Sequence, residues 1–279
     1  MKKILRKKSG RVDKGHYFPL RRLTGLRFVD IHCHCLAGLD DGPRDMTESL
    51  MLCRALVADG ISTVIATPHQ MGCYENYNNA VTVRRSVSLL NDELRRKGIS
   101  LKVLPGADVR VDERIPNLLK ADQVLTLADS GHYILLELPH DTTLDLRPLL
   151  QELDEIAVTA ILSHPERNDY LIRHPQAVIP WLEHNCCLQI TAGSLGGLFG
   201  KLSQEAAWHF LTSSAAVLIA TDAHNLESRR PCMFEAFRLI AERLGEPFAR
   251  RACLENPQRV LMGKDIIDLF DRDSLVVNR

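Results

Sequence analysis

The sequence predicts an α/β protein of parallel strands, closed as a distorted TIM-like (β/α)7 barrel with a metal site at the carboxyl ends of the strands. Two observations carry this expectation. Seven short runs rich in Val, Ile and Leu alternate with amphipathic stretches of helical length, as in a parallel sheet buried on both faces. Seven or eight such units usually close into a barrel. Six of the seven runs also end in His, Asp or Glu, and a β/α barrel gathers its strand ends on the face where sites are built.

The first strand is predicted at 28–32, within Phe28-Val29-Asp30-Ile31-His32-Cys33-His34, and the turn Leu39-Asp40-Asp41-Gly42 follows. Alternation puts Asp30, His32 and His34 on one face and Cys33 and Cys35 on the other. Two imidazoles on one face of a strand end can bind one metal ion together. The same alternation excludes a zinc knuckle built from His-Cys-His-Cys, because the thiols point away from the imidazoles.

A helix is expected over 46–59, then a strand at 61–66 ending in Thr67-Pro68-His69. A helix over 81–97 leads to a strand at 101–106 that ends in Gly106-Ala107-Asp108-Val109-Arg110. After a helix at 113–120, the strand at 133–138 delivers Glu137. A helix at 145–156 precedes the strand at 160–163, which ends in Ser163-His164-Pro165-Glu166-Arg167. The helix at 175–184 leads to a strand at 187–191 whose end, Thr191-Ala192-Gly193-Ser194, offers no ligand. A helix at 202–212 precedes the strand at 217–221, which ends in Thr221-Asp222-Ala223-His224-Asn225. A helix at 231–244 and two shorter ones to about 270 complete the chain. His174, His184 and His209 sit in helical stretches, His132 opens a strand at its far end, and His140 could line a cleft without binding metal.

Net charge is formally zero, but residues 1–27 hold ten Lys or Arg against Asp13 alone. Residues 28–279 therefore carry 25 basic and 34 acidic residues, a net of −9. That body is a poor match for a nucleic-acid enzyme, whose affinity comes from phosphate neutralisation. Residues 1–27 are expected to be a solvated, disordered extension, and 28–279 a single domain. The eight cysteines form no paired framework and Cys186-Cys187 are adjacent, which suits reduced thiols and a cytoplasmic protein. No apolar run approaches the length of a membrane span, and the basic start lacks the apolar segment of a secretory signal.

Five histidines (His32, His34, His69, His164, His224) and four carboxylates (Asp41, Asp108, Glu137, Asp222) make nine candidate ligands. One catalytic zinc uses about three protein ligands, so nine imply two or three ions. A His/carboxylate set without thiolates suits manganese, iron or zinc. Three divalent ions against four carboxylates leave about +2, which matches a dianionic phosphate monoester. A metal-bound hydroxide would then attack phosphorus. Arg167 and Arg229 lie in strand-end loops on the same face, and a guanidinium fork matches phosphate oxygens. Arg110 and Arg230 are alternatives for that role.

Together, Asp-Ile-His-Cys-His with Asp-Asp-Gly, Thr-Pro-His, Gly-Ala-Asp, Leu-Glu-Leu, Ser-His-Pro-Glu-Arg and Thr-Asp-Ala-His-Asn resemble the PHP (polymerase and histidinol phosphatase) superfamily over about 28–262. The order of motifs is similar to the bacterial CpsB/CapC-type tyrosine-protein phosphatases. The resemblance implies a manganese-dependent enzyme acting on a phosphotyrosine-bearing bacterial tyrosine kinase of capsule and exopolysaccharide synthesis. It implies one metal on His32, His34, Asp108 and Asp222, a second on Asp108, Glu137 and His164, and a third on Asp41, His69 and His224. Arg167 and Arg229 would grip the phosphate. The family's bridging acid is Glu where this chain has Asp108, and residues 1–27 lie outside the pattern.

Two Cys-x5-Arg matches, Cys232 to Arg238 and Cys253 to Arg259, suggest thiol-dependent phosphatase chemistry. That chemistry needs a thiolate in a loop between strand and helix, and neither cysteine follows a strand. A PHP-type phosphatase of a small monoester such as histidinol phosphate is the nearest alternative. An amidohydrolase is disfavoured because nothing supplies its metal-bridging lysine. A metal-binding regulator without turnover is the alternative outside enzymes.

Overall fold

The structure, a computed structural model, describes residues 25–142 and 144–270. Of the disordered extension expected over 1–27, residues 1–24 lie outside the described residues. Among the described residues nine strands are interspersed with helices: β1 (Phe28–Cys33), β2 (Ile61–Ala66), β3 (His69–Gln70), β4 (Lys102–Pro105), β5 (Asp108–Arg110), β6 (Tyr133–Glu137), β7 (Thr159–Ser163), β8 (Cys186–Thr191) and β9 (Val217–Ala220). The longer helices are α1 (Met46–Ala58), α2 (Ala80–Arg96), α3 (Ile115–Lys120) and α4 (Arg147–Glu155) in the first half. They are followed by α5 (Asp169–Arg173), α6 (Ile179–Leu182), α7 (Ala192–Leu195), α8 (Lys201–Ser213), α9 (Met233–Leu244), α10 (Glu246–Arg250) and α11 (Asn256–Leu261). No helix among the described residues is long and apolar enough to cross a membrane.

Every strand pairing is parallel. One sheet has the order β1-β2-β4 and the other β3-β5-β6-β7-β8-β9. The second and third expected strands form as β2 and β4, and after a two-residue break each is followed by a further short strand, β3 or β5, that belongs to the second sheet. In the second strand the break falls at Thr67-Pro68, where proline removes a ladder donor and restrains the residue before it. In the third it falls at Gly106-Ala107. A Cβ at Gly106 would meet Ile65 Cγ2 at 2.6 Å, so glycine is what lets this backbone approach β2. The end of β1 is tied to the segment after β9 by His32 O accepting from Asp222 N (2.8 Å) and Ala223 O from His34 N (2.9 Å).

Local signals account for the helix boundaries. Asp45 caps α1 by accepting from Thr47 N and Glu48 N, satisfying donors the helix cannot. Helix α2 buries Ala80, Val83, Val87, Leu90 and Leu94, spaced three and four apart as one helical face requires. The helix expected over 175–184 is instead a 3-10 turn at Pro175–Val178 followed by α6. Pro180 accounts for the break, since it fits a first helical turn and not a helix interior.

Strand alternation splits the core in two. On β6, Ile134 and Leu136 join the large cluster shared with the helices, and Tyr133 and Leu135 join a smaller one. The same division holds for Leu188 and Ile190 against Cys187 on β8, and for Val217 and Ile219 against Leu218 and Ala220 on β9. By the same period, Glu137, Gln189 and Asp222 continue the side of the smaller cluster beyond its apolar residues.

Candidate metal centre

The backbone tie between β1 and the segment after β9 sets the centre. It leaves His32 Nε2 3.2 Å from Asp222 Oδ1 and 3.1 Å from His34 Nε2. The His224 ring stacks on His34 with centroids 3.8 Å apart. Asp222 and His164 both hold left-handed backbone, with φ of 51° and 34°, a region that costs energy for residues other than glycine. Asp108, fully buried at the start of β5, has its Oδ2 3.4 Å from His69 Nδ1, 3.6 Å from His32 Nε2 and 3.9 Å from His164 Nε2. Glu137 approaches His69 Nδ1 at 3.7 Å and His164 Nε2 at 3.9 Å. Asp41 closes the other side, its Oδ1 3.2 Å from His224 Nε2 and 3.5 Å from His69 Nε2.

All nine candidate ligands come together here. Donor atoms lie within 4.8 Å of one another in four groups: His34, Asp41, His69 and His224; His32, His164 and Asp222; His32, His34 and Asp108; and His69, Asp108 and Glu137. The first contains the trio Asp41, His69 and His224 with His34 added. No cysteine enters these groups among the described residues; Cys33 instead donates to Ala223 O. Asp30, on the same strand as His32, also stays out and accepts from Thr221 N at 2.9 Å.

The donor set fits divalent cations, and the buried polar atoms require something of the kind. Asp108 Oδ1 and Oδ2, Asp222 Oδ1 and His224 Nε2 are buried without a hydrogen-bond partner. Burying such groups unpaired costs several kcal/mol each. Burial, helped by the neighbouring His224, pushes His34 down to about 3, and burial and Arg167 hold His164 well below its usual range. Both are therefore neutral, the form that binds metal. Burial and the Asp108 charge push Glu137 up to about 7. Burial opposes charge on His69, but the close Asp108 and Asp41 carboxylates raise it to about 11. A cation replacing those contacts would release that proton. Asp222 stays well below the carboxylate range despite burial, held by Arg167, His32 and Arg229.

Arginines ring the acids. Arg167 and Arg229 meet Asp222 Oδ2 at 2.5 and 2.7 Å, and Arg229 also reaches Asp41 Oδ2 at 3.1 Å. Arg110 pairs with Glu137 Oε2 at 2.9 Å and donates to Leu138 O. Arg230 turns away to Cys232 and Glu235.

Two orienting residues lie outside the nine candidate ligands. Asp40 Oδ2 accepts from His34 Nδ1 at 2.6 Å and from His69 N at 3.1 Å. Gln189 Oε1 accepts from His32 Nδ1 at 2.8 Å. Each fixes a tautomer and leaves Nε2 free to face the cluster. The sixth strand, expected to contribute nothing, contributes Gln189 from its interior. Its signal was the alternation of polar Gln189 and Thr191 with apolar Leu188 and Ile190.

Neither Cys-x5-Arg match builds a thiolate loop. Cys232 sits at the start of α9, buried, with burial raising its thiol, and Arg238 pairs with Glu242. Cys253 is fully buried inside a helical turn at Arg251–Glu255 that runs on into α11, and burial raises its thiol too.

A family model described as capsular polysaccharide synthesis, CpsB/CapC, matches residues 28–262. The tyrosine-protein phosphatase YwqE of Bacillus subtilis is 35% identical over 219 residues, covering 78% of this chain and 85% of that protein. The tyrosine-protein phosphatase CpsB of Streptococcus pneumoniae is 27% identical over 245 residues, covering 84% and 98%. Among solved structures, one described as YwqE from Bacillus subtilis and CpsB from Streptococcus pneumoniae, unique metal-dependent tyrosine phosphatases, superposes with a TM-score of 0.82 at 32% identity, covering 86% of this chain and 96% of that one. The lactonase Lmo2620 of Listeria monocytogenes, 11% identical with a TM-score of 0.54, covers 86% and 95% and shares the fold alone.

Proposed function

This chain belongs to the CpsB/CapC capsular polysaccharide synthesis family, and from that premise we propose that it is a metal-dependent protein-tyrosine phosphatase. The observation that carries the reading is Asp108: a fully buried carboxylate, unpartnered at both oxygens, with three imidazoles within 4 Å. Four carboxylates at one site repel a phosphate dianion unless cations offset them. His32, His34, Asp108 and Asp222 would hold a first ion, Asp108, Glu137 and His164 a second, and Asp41, His69 and His224 a third. Two to three ions, manganese first and iron or zinc as substitutes, suit this donor chemistry. When bound, they supply Lewis-acid charge and acidify water.

The chain's own groups do the rest. Gln189 and Asp40 hold His32 and His34 with Nε2 toward the cluster. Asp222 keeps the Arg167 and Arg229 guanidiniums side by side, both partly exposed, so an arriving phosphate meets two positioned forks. The two sheets read as one distorted (β/α)7 barrel, a reading supported by the backbone ties between β1 and the end of β9. A single domain over 28–279 is part of the same proposal, as is a cytoplasmic location. The substrate proposed is phosphotyrosine on a bacterial tyrosine kinase of capsule or exopolysaccharide synthesis.

The test is substrate preference of the manganese-loaded protein. A phosphotyrosine peptide should exceed histidinol phosphate in kcat/KM. The reverse order would make this a small-monoester phosphatase, and no turnover of either would make it a metal-binding regulator.

A further inference from the structure

Most of the ligand cluster is buried, and one open approach to it is a cavity of about 200 Å³. Asp41, His69 and Glu137 line it from the cluster side, with Tyr74, Arg110 and His140 completing the wall. The Tyr74 ring stacks on the His69 imidazole, centroids 5.5 Å apart and planes 20° apart. Tyr74 is half-buried, so part of the ring faces the cavity.

The turn carrying Tyr74 is held firmly. At Gly72, with φ of +58°, a Cβ would lie 3.3 Å from Arg110 Cγ, so the turn is seated directly on the arginine that pairs with Glu137. Just before it, Met71 takes φ 67° and ψ −173°, a conformation otherwise left almost entirely to glycine. Its neighbours impose this: Gln70 bonds to Asn78 O and Leu125 N, and Asn78 donates to Leu39 O and His69 O. Strained backbone held by so many ties is characteristic of functional loops. A second, larger groove shares Gln70, Met71 and Tyr74 with the cavity and continues past Asn79 to Val124. An extended peptide could therefore leave the cavity along it.

We propose that Tyr74 determines specificity, forming the aromatic wall against which the phenyl ring of a phosphotyrosine packs while its phosphate reaches the ligand cluster. This rests on the phosphatase reading and adds to it the residue that selects an aryl over an alkyl phosphomonoester. An alkyl ester reaches the same metals but leaves the ring uncovered.

The test is calorimetric binding to the manganese-loaded protein of two hydrolysis-inert probes, phenylphosphonate and methylphosphonate, with metal content measured on each variant. Tyr74→Ala should weaken phenylphosphonate about tenfold, the scale of one aromatic pair with its buried area, and leave methylphosphonate within about twofold. Tyr74→Phe should bind both like wild type, because the ring and not the hydroxyl is used. Tyr74→Leu keeps bulk without a ring and should lose phenylphosphonate affinity alone, which covers the case of an unstable Tyr74→Ala. Equal weakening of both probes would mean that Tyr74 acts only by holding His69, and would overturn the proposal. So would unchanged phenylphosphonate binding in Tyr74→Leu. If wild type turns over phosphotyrosine peptide and either result appears, only this proposal fails. If wild type binds neither probe and turns over nothing, the phosphatase reading fails and takes it along.

Discussion

Replacing Asp108 with Asn removes one negative charge and almost no volume, at the point where the histidines converge. Asp108 Oδ2 lies 3.4 Å from His69 Nδ1 and 3.6 Å from His32 Nε2. A unit charge at that distance contributes about 5 kcal/mol at an effective dielectric of about 20. That corresponds to between about three and four decades in affinity for a cation held there. Asp108→Asn should therefore keep its fold, lose at least one of the ions it is proposed to share, and lose most turnover. Asp108→Glu should be impaired as well. The side chain is fully buried, and one more methylene, about 1.5 Å, would drive the carboxylate into the imidazoles. Gly106, whose missing Cβ leaves room only for Ile65, gives the strand no slack to retreat. The assay is elemental analysis after gentle purification, paired with kcat/KM on para-nitrophenyl phosphate. Full metal content and wild-type kcat/KM in Asp108→Asn would refute the reasoning, and a gain of metal and turnover in Asp108→Glu would mean that the native site is a weakened one.

Other outcomes follow from the same geometry. Arg167→Ala and Arg229→Ala should fold and lose roughly 10- to 150-fold in kcat/KM, the worth of charge-assisted hydrogen bonds; wild-type kcat/KM in both would remove them from phosphate binding. Gln189→Leu deprives His32 Nδ1 of its acceptor and should weaken metal affinity about 10- to 100-fold by competition titration, whereas unchanged affinity would make Gln189 packing only. Burial pushes the Asp59 carboxyl from 3.8 up to about 6. The folded chain thus keeps a proton that the unfolded chain releases in that window, so this group's contribution falls as pH rises from about 4 to 6. Asp59→Asn still caps α9, where Asp59 accepts from Met233 N, and should gain Tm relative to wild type on going from pH 4.5 to 7; a parallel pH dependence in both proteins would contradict this.

What the sequence made legible follows from what a strand end exposes. His32 and His34, Thr67-Pro68-His69 and Thr221-Asp222-Ala223-His224 announce themselves because polar ligands terminate apolar runs. The structure brings all nine such residues into one cluster. Gln189 is hidden inside its strand, because a polar residue alternating with apolar ones on β8 resembles ordinary strand patterning, whereas ligands stand out at strand ends. Asp40 was hidden beside Asp41, since two adjacent carboxylates in a turn give no sign of which one orients an imidazole and which faces the cluster. The short strands after β2 and β4 are equally indistinct: Pro68 and Gly106 mark where β2 and β4 stop, but only the pairing of β3 and β5 in the second sheet reveals that the chain continues as strand past them.

The central claim is tested most directly by titrating chelated protein with manganese while measuring phosphate released from a phosphotyrosine peptide. Turnover should be absent in the chelated protein, rise with bound metal, and saturate at two to three ions per chain. Turnover that survives complete chelation, or a protein holding three ions that releases no phosphate, would contradict a metal-dependent tyrosine phosphatase centred on His32, Asp108 and Asp222.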